Sequence, residues 1–300
     1  MTAAFSFFKT YDDLSIRYAI RPSGQEKKAG SVIVLGGRRE FIEKYTEIIC
    51  ELNGRNFDVY TMDWRGQGLS GRQLPNRHKG HVSSYDDYLD DLNRFVSQVV
   101  RPRAVSPFII LAHSMGGHIA LRYLHDRPEC VEKAVLTAPL IDIASSAFKG
   151  RLIRVFARTA VAAGMGQMYV FGPGDYRAAD QQFNGNRLTS DPQRFMDEQN
   201  AIAANPDLAL GGLTYGWLKA SLESIDILKG AGYPEAIRTP VLIVCAGSDR
   251  IVSITAQERI CARLPGGLLQ VIPRARHEVL KENDRVRSVF WEAFDRFIQT

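Results

Sequence analysis

The sequence predicts an α/β protein, with a mostly parallel sheet flanked by helices and one inserted helical cap. Three observations lead there. Short apolar runs alternate with amphipathic stretches across residues 1–142 and again across 233–300, the pattern of buried strands joined by crossover helices. That rhythm stops between 143 and 232, where only helices and irregular turns are legible. A serine flanked by small residues, Ala112-His113-Ser114-Met115-Gly116-Gly117, stands where a strand gives way to a helix. The predicted organisation is a core of 1–142 and 233–300 interrupted by a cap, or lid, of 143–232.

The elements follow in order. Phe5–Lys9 and Leu14–Ile20 flank Asp12-Asp13 and read as an antiparallel hairpin. Val32–Leu35 is a strand ending at Gly36-Gly37. Glu40–Leu52 has helical spacing through Phe41, Tyr45, Ile48 and Leu52. Strand Phe57–Met62 leads into a glycine-rich loop, and Tyr85–Val100 reads as one helix. Strand Phe108–Ala112, helix Gly116–His125 and strand Ala134–Thr137 complete the first part. After the interruption come strand Val241–Ala246, helix Thr255–Leu264, strand Leu268–Ile272 and helix Asp284–Ile298.

Composition narrows the class. With 45% hydrophobic and 24% charged residues, the chain is neither disordered nor a disulfide mini-scaffold. The net charge of +5 carries no basic block of the nucleic-acid-binding kind. Cys50, Cys130, Cys245 and Cys261 are scattered in apolar surroundings, without a C-x-x-C pair, and read as four buried free thiols in a reducing compartment. No signal peptide or membrane span is legible, so a cytoplasmic protein is expected, with peripheral attachment to the inner membrane face left open. No metal and no cofactor is expected.

The serine carries the chemistry. A strand–Ser–helix turn needs small residues two before and two after the serine, here Ala112 and Gly116, because the backbone turns too tightly for larger ones. Ser114 is the candidate nucleophile. Where partners follow in the order Ser, Asp/Glu, His, His277 is the only histidine beyond the last predicted strand. His118 and His125 are expected to be structural or exposed, and His113 a packed neighbour of the site; His78 and His81, in a loop, could line the site but stand in the wrong chain order for the base. Asp249 lies just past the end of strand Val241–Ala246 and is the candidate acid, with Asp226 as runner-up. Two backbone N–H groups are expected to meet the oxyanion. One is that of Met115. The other is that of Arg38 in the loop after Val32–Leu35, with the register open by one residue. The segment Asp63-Trp64-Arg65-Gly66-Gln67-Gly68 lacks the ending of a P-loop and reads as a brace for this site.

With these motifs in place, the chain resembles an α/β-hydrolase. More narrowly, it resembles the bacterial lysophospholipase L2 branch, related to monoacylglycerol lipases. The resemblance runs from about Phe7 to Phe297. It rests on Gly37-Arg38 with Glu40 and Lys44-Tyr45, on Asp63 to Arg72, on Gly80-His81-Val82, on the serine turn, on Thr137-Ala138-Pro139, and on Gly211-Gly212-Leu213-Thr214-Tyr215-Gly216-Trp217. It implies cleavage of a fatty acyl ester, as in lysophospholipids or monoacylglycerols. A proline iminopeptidase-like peptidase, a general carboxylesterase, a cofactor-free haloperoxidase and a non-catalytic binding protein are the alternatives. The peptidase would need free cap carboxylates, such as Asp197-Glu198, to hold a substrate amino group.

Substrate contacts are expected from Gly37, His113, Phe156 and Tyr215. Between Phe148 and Phe171 the cap is apolar and basic. Arg151, Arg154 and Arg158 share one helical face, while Leu152, Val155 and Phe156 share another, and Lys149 adds to the charge. Such a helix suits an anionic membrane surface or a lipid groove, and equally an ordinary cap helix with a solvated basic side.

Overall fold

The computed structural model describes residues 5–144, 147–172 and 174–299, without the side chains of 147–149. The expectations for Phe148 and Lys149 therefore lie outside the described residues. Eight strands form one sheet: β1 (Phe5–Lys9), β2 (Ser15–Arg21), β3 (Gly30–Leu35), β4 (Phe57–Met62), β5 (Phe108–His113), β6 (Lys133–Thr137), β7 (Val241–Ala246) and β8 (Gly267–Ile272). Their spatial order is β1-β2-β4-β3-β5-β6-β7-β8. The β1–β2 and β2–β4 pairs are antiparallel, and every later pair is parallel.

The strand sequences explain their places. Strands β3, β4 and β7 are buried along their whole length, which is why they read as unbroken apolar runs. The outer strand β8 leaves Leu268, Leu269 and Val271 exposed. Register aligns the carboxyl ends: Leu35 pairs with Ala112, His113 with Thr137, Thr137 with Val244, and Ala246 with Ile272. The loops after β3, β5, β7 and β8 are thereby gathered on one rim. Strand order reverses at β3 and β5, the position where open α/β sheets form their crevice.

Helices α1 (Thr46–Gly54), α2 (Asp86–Arg94), α3 (Met115–Asp126), α7 (Ile254–Cys261) and α8 (Asp284–Gln299) flank the strands. Two predicted helices differ in detail. The stretch expected to be helical from Glu40 begins as a 3-10 turn at Ile42–Tyr45. Its start is pulled aside by side chains, because the Glu40 carboxylate accepts from Gly37 N–H and Asp63 accepts from Ile42 N–H at 2.9 Å. The helix expected to run to Val100 widens into a π-helical turn over Phe95–Val100, where Arg101 N–H reaches back to Val96 O at 2.8 Å.

Residues 143–232 hold α4 (Ala147–Ala162), α5 (Pro192–Ala204) and α6 (Tyr215–Leu228). Trp217, Ile225 and Leu228 of α6 belong to the main core, whereas Ala157 of α4 packs with Leu218 and Leu222 in a separate cluster. Thr214 starts α6: its Oγ1 accepts from Trp217 N–H at 3.2 Å and donates to Gly80 O at 3.1 Å. That bond fastens the Gly80-His81 loop to the inserted segment.

Buried ions brace the rim. Arg65 forms paired bonds of 2.6 and 2.7 Å with Asp91, and Asp63 holds Arg17 at 2.8 Å. A Cβ on Gly68 (φ +50°) would strike the Asp63 carboxylate at 2.3 Å. A Cβ on Gly116 would lie 2.6 Å from the carbonyl oxygens of both Leu35 and Gly36. Gly116→Ala is therefore expected to cost about 1–3 kcal/mol, read as a lower urea midpoint; an unchanged midpoint would show that the contact can relax.

Candidate active site

The site is assembled from the ends of three strands. Ser114 follows β5 with φ +49° and ψ −112°, a sparsely populated backbone that lifts its side chain at the strand-to-helix turn. Its N–H donates to Thr137 O at 3.0 Å, and its carbonyl accepts from His118 N–H and Leu140 N–H at 3.1 and 3.0 Å. These bonds tie the strained residue to β6 and α3.

His277, in the loop after β8, places Nε2 3.0 Å from Ser114 Oγ. Its Nδ1 lies 2.7 Å from Asp249 Oδ2. With Nδ1 protonated toward Asp249, Nε2 is the acceptor for the serine proton. The other Asp249 oxygen accepts from Ile251 and Val252 N–H at 2.7 and 3.1 Å. Burial opposes ionisation of Asp249, but the His277 contact and these N–H groups outweigh it and hold the pKa below the ordinary carboxylate value. The sequence-predicted Ser114, Asp249 and His277 thus form one hydrogen-bonded chain. Asp226 is elsewhere, paired with Arg154 at 2.9 Å.

The other histidines separate cleanly. His113 is buried, with Nδ1 3.1 Å from both Thr137 O and Oγ1, and its ring lies 4.7 Å from that of His277. Burial pulls its pKa down to about 4, so it is a neutral ring packed against His277. His118 bonds Leu140 O and Ser224 Oγ at 2.8 and 2.7 Å. His81 meets Thr214, and His125 stacks on Tyr233.

For the oxyanion, Met115 N–H opens α3 directly after Ser114. In the loop after β3, Gly37 N–H donates to Glu40, and Arg39 N–H donates to Gln67 Oε1 at 2.6 Å. The Arg38 N–H between them has no hydrogen-bond partner among the described residues. Gln67, which the sequence offered only as part of a brace, also approaches Met115 Sδ at 3.8 Å and so touches both sides of this gap. The Arg38 side chain crosses to the inserted segment, donating to Gly211 O at 2.9 Å and lying over Trp217. Phe156 and Tyr215 meet edge-on at 5.7 Å. With Leu152, Val155, Val170, Phe171 and Leu218 they line an apolar groove of about 470 Å³.

Residues 26–284 match the family described as serine aminopeptidase, S33. The chain belongs to that family. It is 35% identical over 300 residues to lysophospholipase L2 of Escherichia coli (strain K12), covering 97% of this chain and 86% of the relative. It is 24% identical over 261 residues to monoacylglycerol lipase of Mycolicibacterium smegmatis, covering 85% and 84%. In fold it matches a soluble variant of monoglyceride lipase from Saccharomyces cerevisiae with a TM-score of 0.77 at 19% identity, covering 99% and 95%. The fold is that of an α/β-hydrolase.

In this S33 family member a charged cluster lies behind the serine–histidine pair. Lys44 Nζ stands 2.9 Å from Glu40, 2.7 Å from Glu198 and 2.7 Å from Glu278. These carboxylates come from the loop after β3, from α5, and from the residue after His277. The pattern Glu40…Lys44 shows one pair in sequence; the other two contacts arise only in the fold. Burial works against ionised Glu40, yet Lys44 and the hydrogen bond from Tyr45 hold its pKa down to about 2. Burial pushes Glu278 up to about 7 despite Lys44.

Lys44→Met would strand these carboxylates and is expected to cost about 3–5 kcal/mol in urea unfolding. Because Glu278 binds its proton more tightly when folded, its contribution to stability is full below about pH 4.5 and fades as pH rises through about 7. Glu278→Gln should flatten that fall. A pH profile identical to wild type would contradict this assignment.

Proposed function

We propose that this protein is a serine hydrolase that cleaves fatty acyl esters of single-chain lipids, lysophospholipids or monoacylglycerols, through an acyl-enzyme on Ser114. The Ser114–His277–Asp249 hydrogen-bonded chain carries the reading. Ser114 Oγ attacks the ester carbonyl while His277 Nε2 takes its proton, and Asp249 steadies the imidazolium through Nδ1–H. The N–H groups of Met115 and Arg38 receive the oxyanion. Collapse expels the alcohol, protonated by His277, and leaves the acyl group on Ser114. Water, deprotonated by the same imidazole, then releases the fatty acid and restores the serine.

Substrate class is supported by the printed names of the relatives in E. coli and M. smegmatis. Residues 143–232 act as the cap in this reading, and the apolar groove at Phe156 and Tyr215 takes the acyl chain. Leu152, Val155, Phe156, Met168 and Phe171 are exposed and offer the cap's apolar face to a membrane surface, where the protein would sit peripherally on the cytoplasmic side. The basic face of α4 contributes less than its sequence promises, since Arg154 and Arg158 lie 2.9 and 3.9 Å from Asp226. No helix among the described residues is long and apolar enough to cross a membrane.

The family description also names an aminopeptidase. Against that reading, Glu198 is tied up by Lys44 at 2.7 Å, so the Asp197-Glu198 pair does not stand open together for a substrate amino group. Lysophosphatidylcholine, monoacylglycerol, p-nitrophenyl esters and prolyl arylamides assayed side by side decide the matter: the lipid esters should be preferred, and preference for the arylamide overturns the proposal. Ser114→Ala should lower ester hydrolysis by about 10⁴-fold or more while leaving the unfolding midpoint near wild type.

A further inference from the structure

We propose that a basic cleft on the far side of the Asp249 and His277 loops binds an anion carrying several phosphoryl groups. The cleft has a volume of about 1030 Å³ and is formed by the inserted segment near Asn186, the loop after β7, the loop after β8 and the start of α8. Five arginines line it: Arg187, Arg250, Arg274, Arg276 and Arg285. No Asp or Glu is among the lining residues. The sequence disperses these arginines over four places, so no basic block announces them.

Their charges are uncompensated. None of the five takes part in an ion pair among the described residues, and Arg187, Arg250, Arg274 and Arg285 are exposed. Arg276 is fixed from below, donating to Asn186 O at 3.2 Å and to Thr189 O at 2.8 Å. The carboxylates behind the wall face other partners. Asp249 is turned to His277. Glu282 accepts from Arg276 N–H at 2.7 Å and from Ser190 N–H at 3.1 Å. Asp284, in the first turn of α8, is paired with Arg194 at 2.6 Å.

Five guanidinium groups around one concavity repel one another unless an anion joins them. Guanidinium forks match phosphoryl oxygens bidentately, and a concave wall concentrates the field more than a flat surface does. A single phosphate would engage two or three of the groups; a polyphosphate, or a lipid headgroup with more than one phosphate, would engage most of them. Ser248 adds a hydroxyl group to the lining, while the Ser190 hydroxyl donates to Glu282.

The test reads binding rather than catalysis, so it stands whether or not the hydrolase assignment holds. The full chain is titrated calorimetrically with tripolyphosphate, pyrophosphate and inorganic phosphate at constant ionic strength. In a second arm it is floated with vesicles of phosphatidylcholine containing cardiolipin. The comparison protein carries Arg187→Gln, Arg274→Asn and Arg285→Gln, and a control carries Arg101→Gln and Arg127→Gln at exposed sites elsewhere. Saturable tripolyphosphate binding, at least about tenfold tighter than phosphate and at least about tenfold weakened in the triple variant alone, supports a site for a free polyanion. Cardiolipin-dependent flotation lost in the triple variant alone, with no soluble binding, supports the same site filled by a headgroup. Absence of both, or equal loss in the control, overturns the proposal.

Discussion

The constraint on which the site depends is the backbone turn at Ser114. A non-glycine residue at φ +49° costs of the order of 1–3 kcal/mol, and persists only where its surroundings over-determine it. Here β6 accepts its N–H, and α3 and Leu140 donate to its carbonyl. Gly116 lets α3 start directly against the end of β3, at a distance no side chain would permit. That close approach sets Met115 N–H beside the loop that carries Arg38. The setting of Ser114 and of the two candidate oxyanion donors therefore depends on one packing contact.

Electrostatics then ties three separate parts of the chain to that turn. Lys44 gathers Glu40 beside the loop after β3, Glu278 beside His277 and Glu198 on α5. Three carboxylates around one ammonium leave the cluster negative when all are ionised, and burial, with the neighbouring Glu198 and Glu40, raises the proton affinity of Glu278. Removing the cation is costly because the acids remain buried. The same cluster engages Glu198, one of the two neighbouring carboxylates that an aminopeptidase reading would draw on. Arg38 makes a second tie between the rim and the inserted segment through Gly211 and Trp217. A displacement of the inserted segment would thus be felt at both the Arg38 loop and the His277 loop.

Much of this was legible in the sequence for physical reasons. Strands buried on both faces read as continuous apolar runs, so β3, β4, β5 and β7 were placed within a residue or two. The order of Ser114, Asp249 and His277 along the chain, each beside the end of a strand, singles them out among several acids and histidines, and the fold brings these three into one hydrogen-bonded chain. What periodicity missed depends on side chains meeting across the fold. The 3-10 start before α1 follows from Glu40 and Asp63 competing for backbone N–H groups. The basic face of α4 looked free in sequence, but Asp226 on α6 partly neutralises it. The opposite happened at the arginine-lined cleft, where a mild overall charge of +5 conceals a local concentration of one sign.

The proposed mechanism requires that an acyl group be carried covalently on Ser114. The most direct measurement is peptide-mapping mass spectrometry of the protein quenched in acid during turnover of a monoacylglycerol or lysophosphatidylcholine. An acyl-enzyme on Ser114 predicts one acyl chain's added mass, confined to the peptide containing Ser114 and absent after turnover is complete. Ester hydrolysis that proceeds with the adduct on another residue would contradict it.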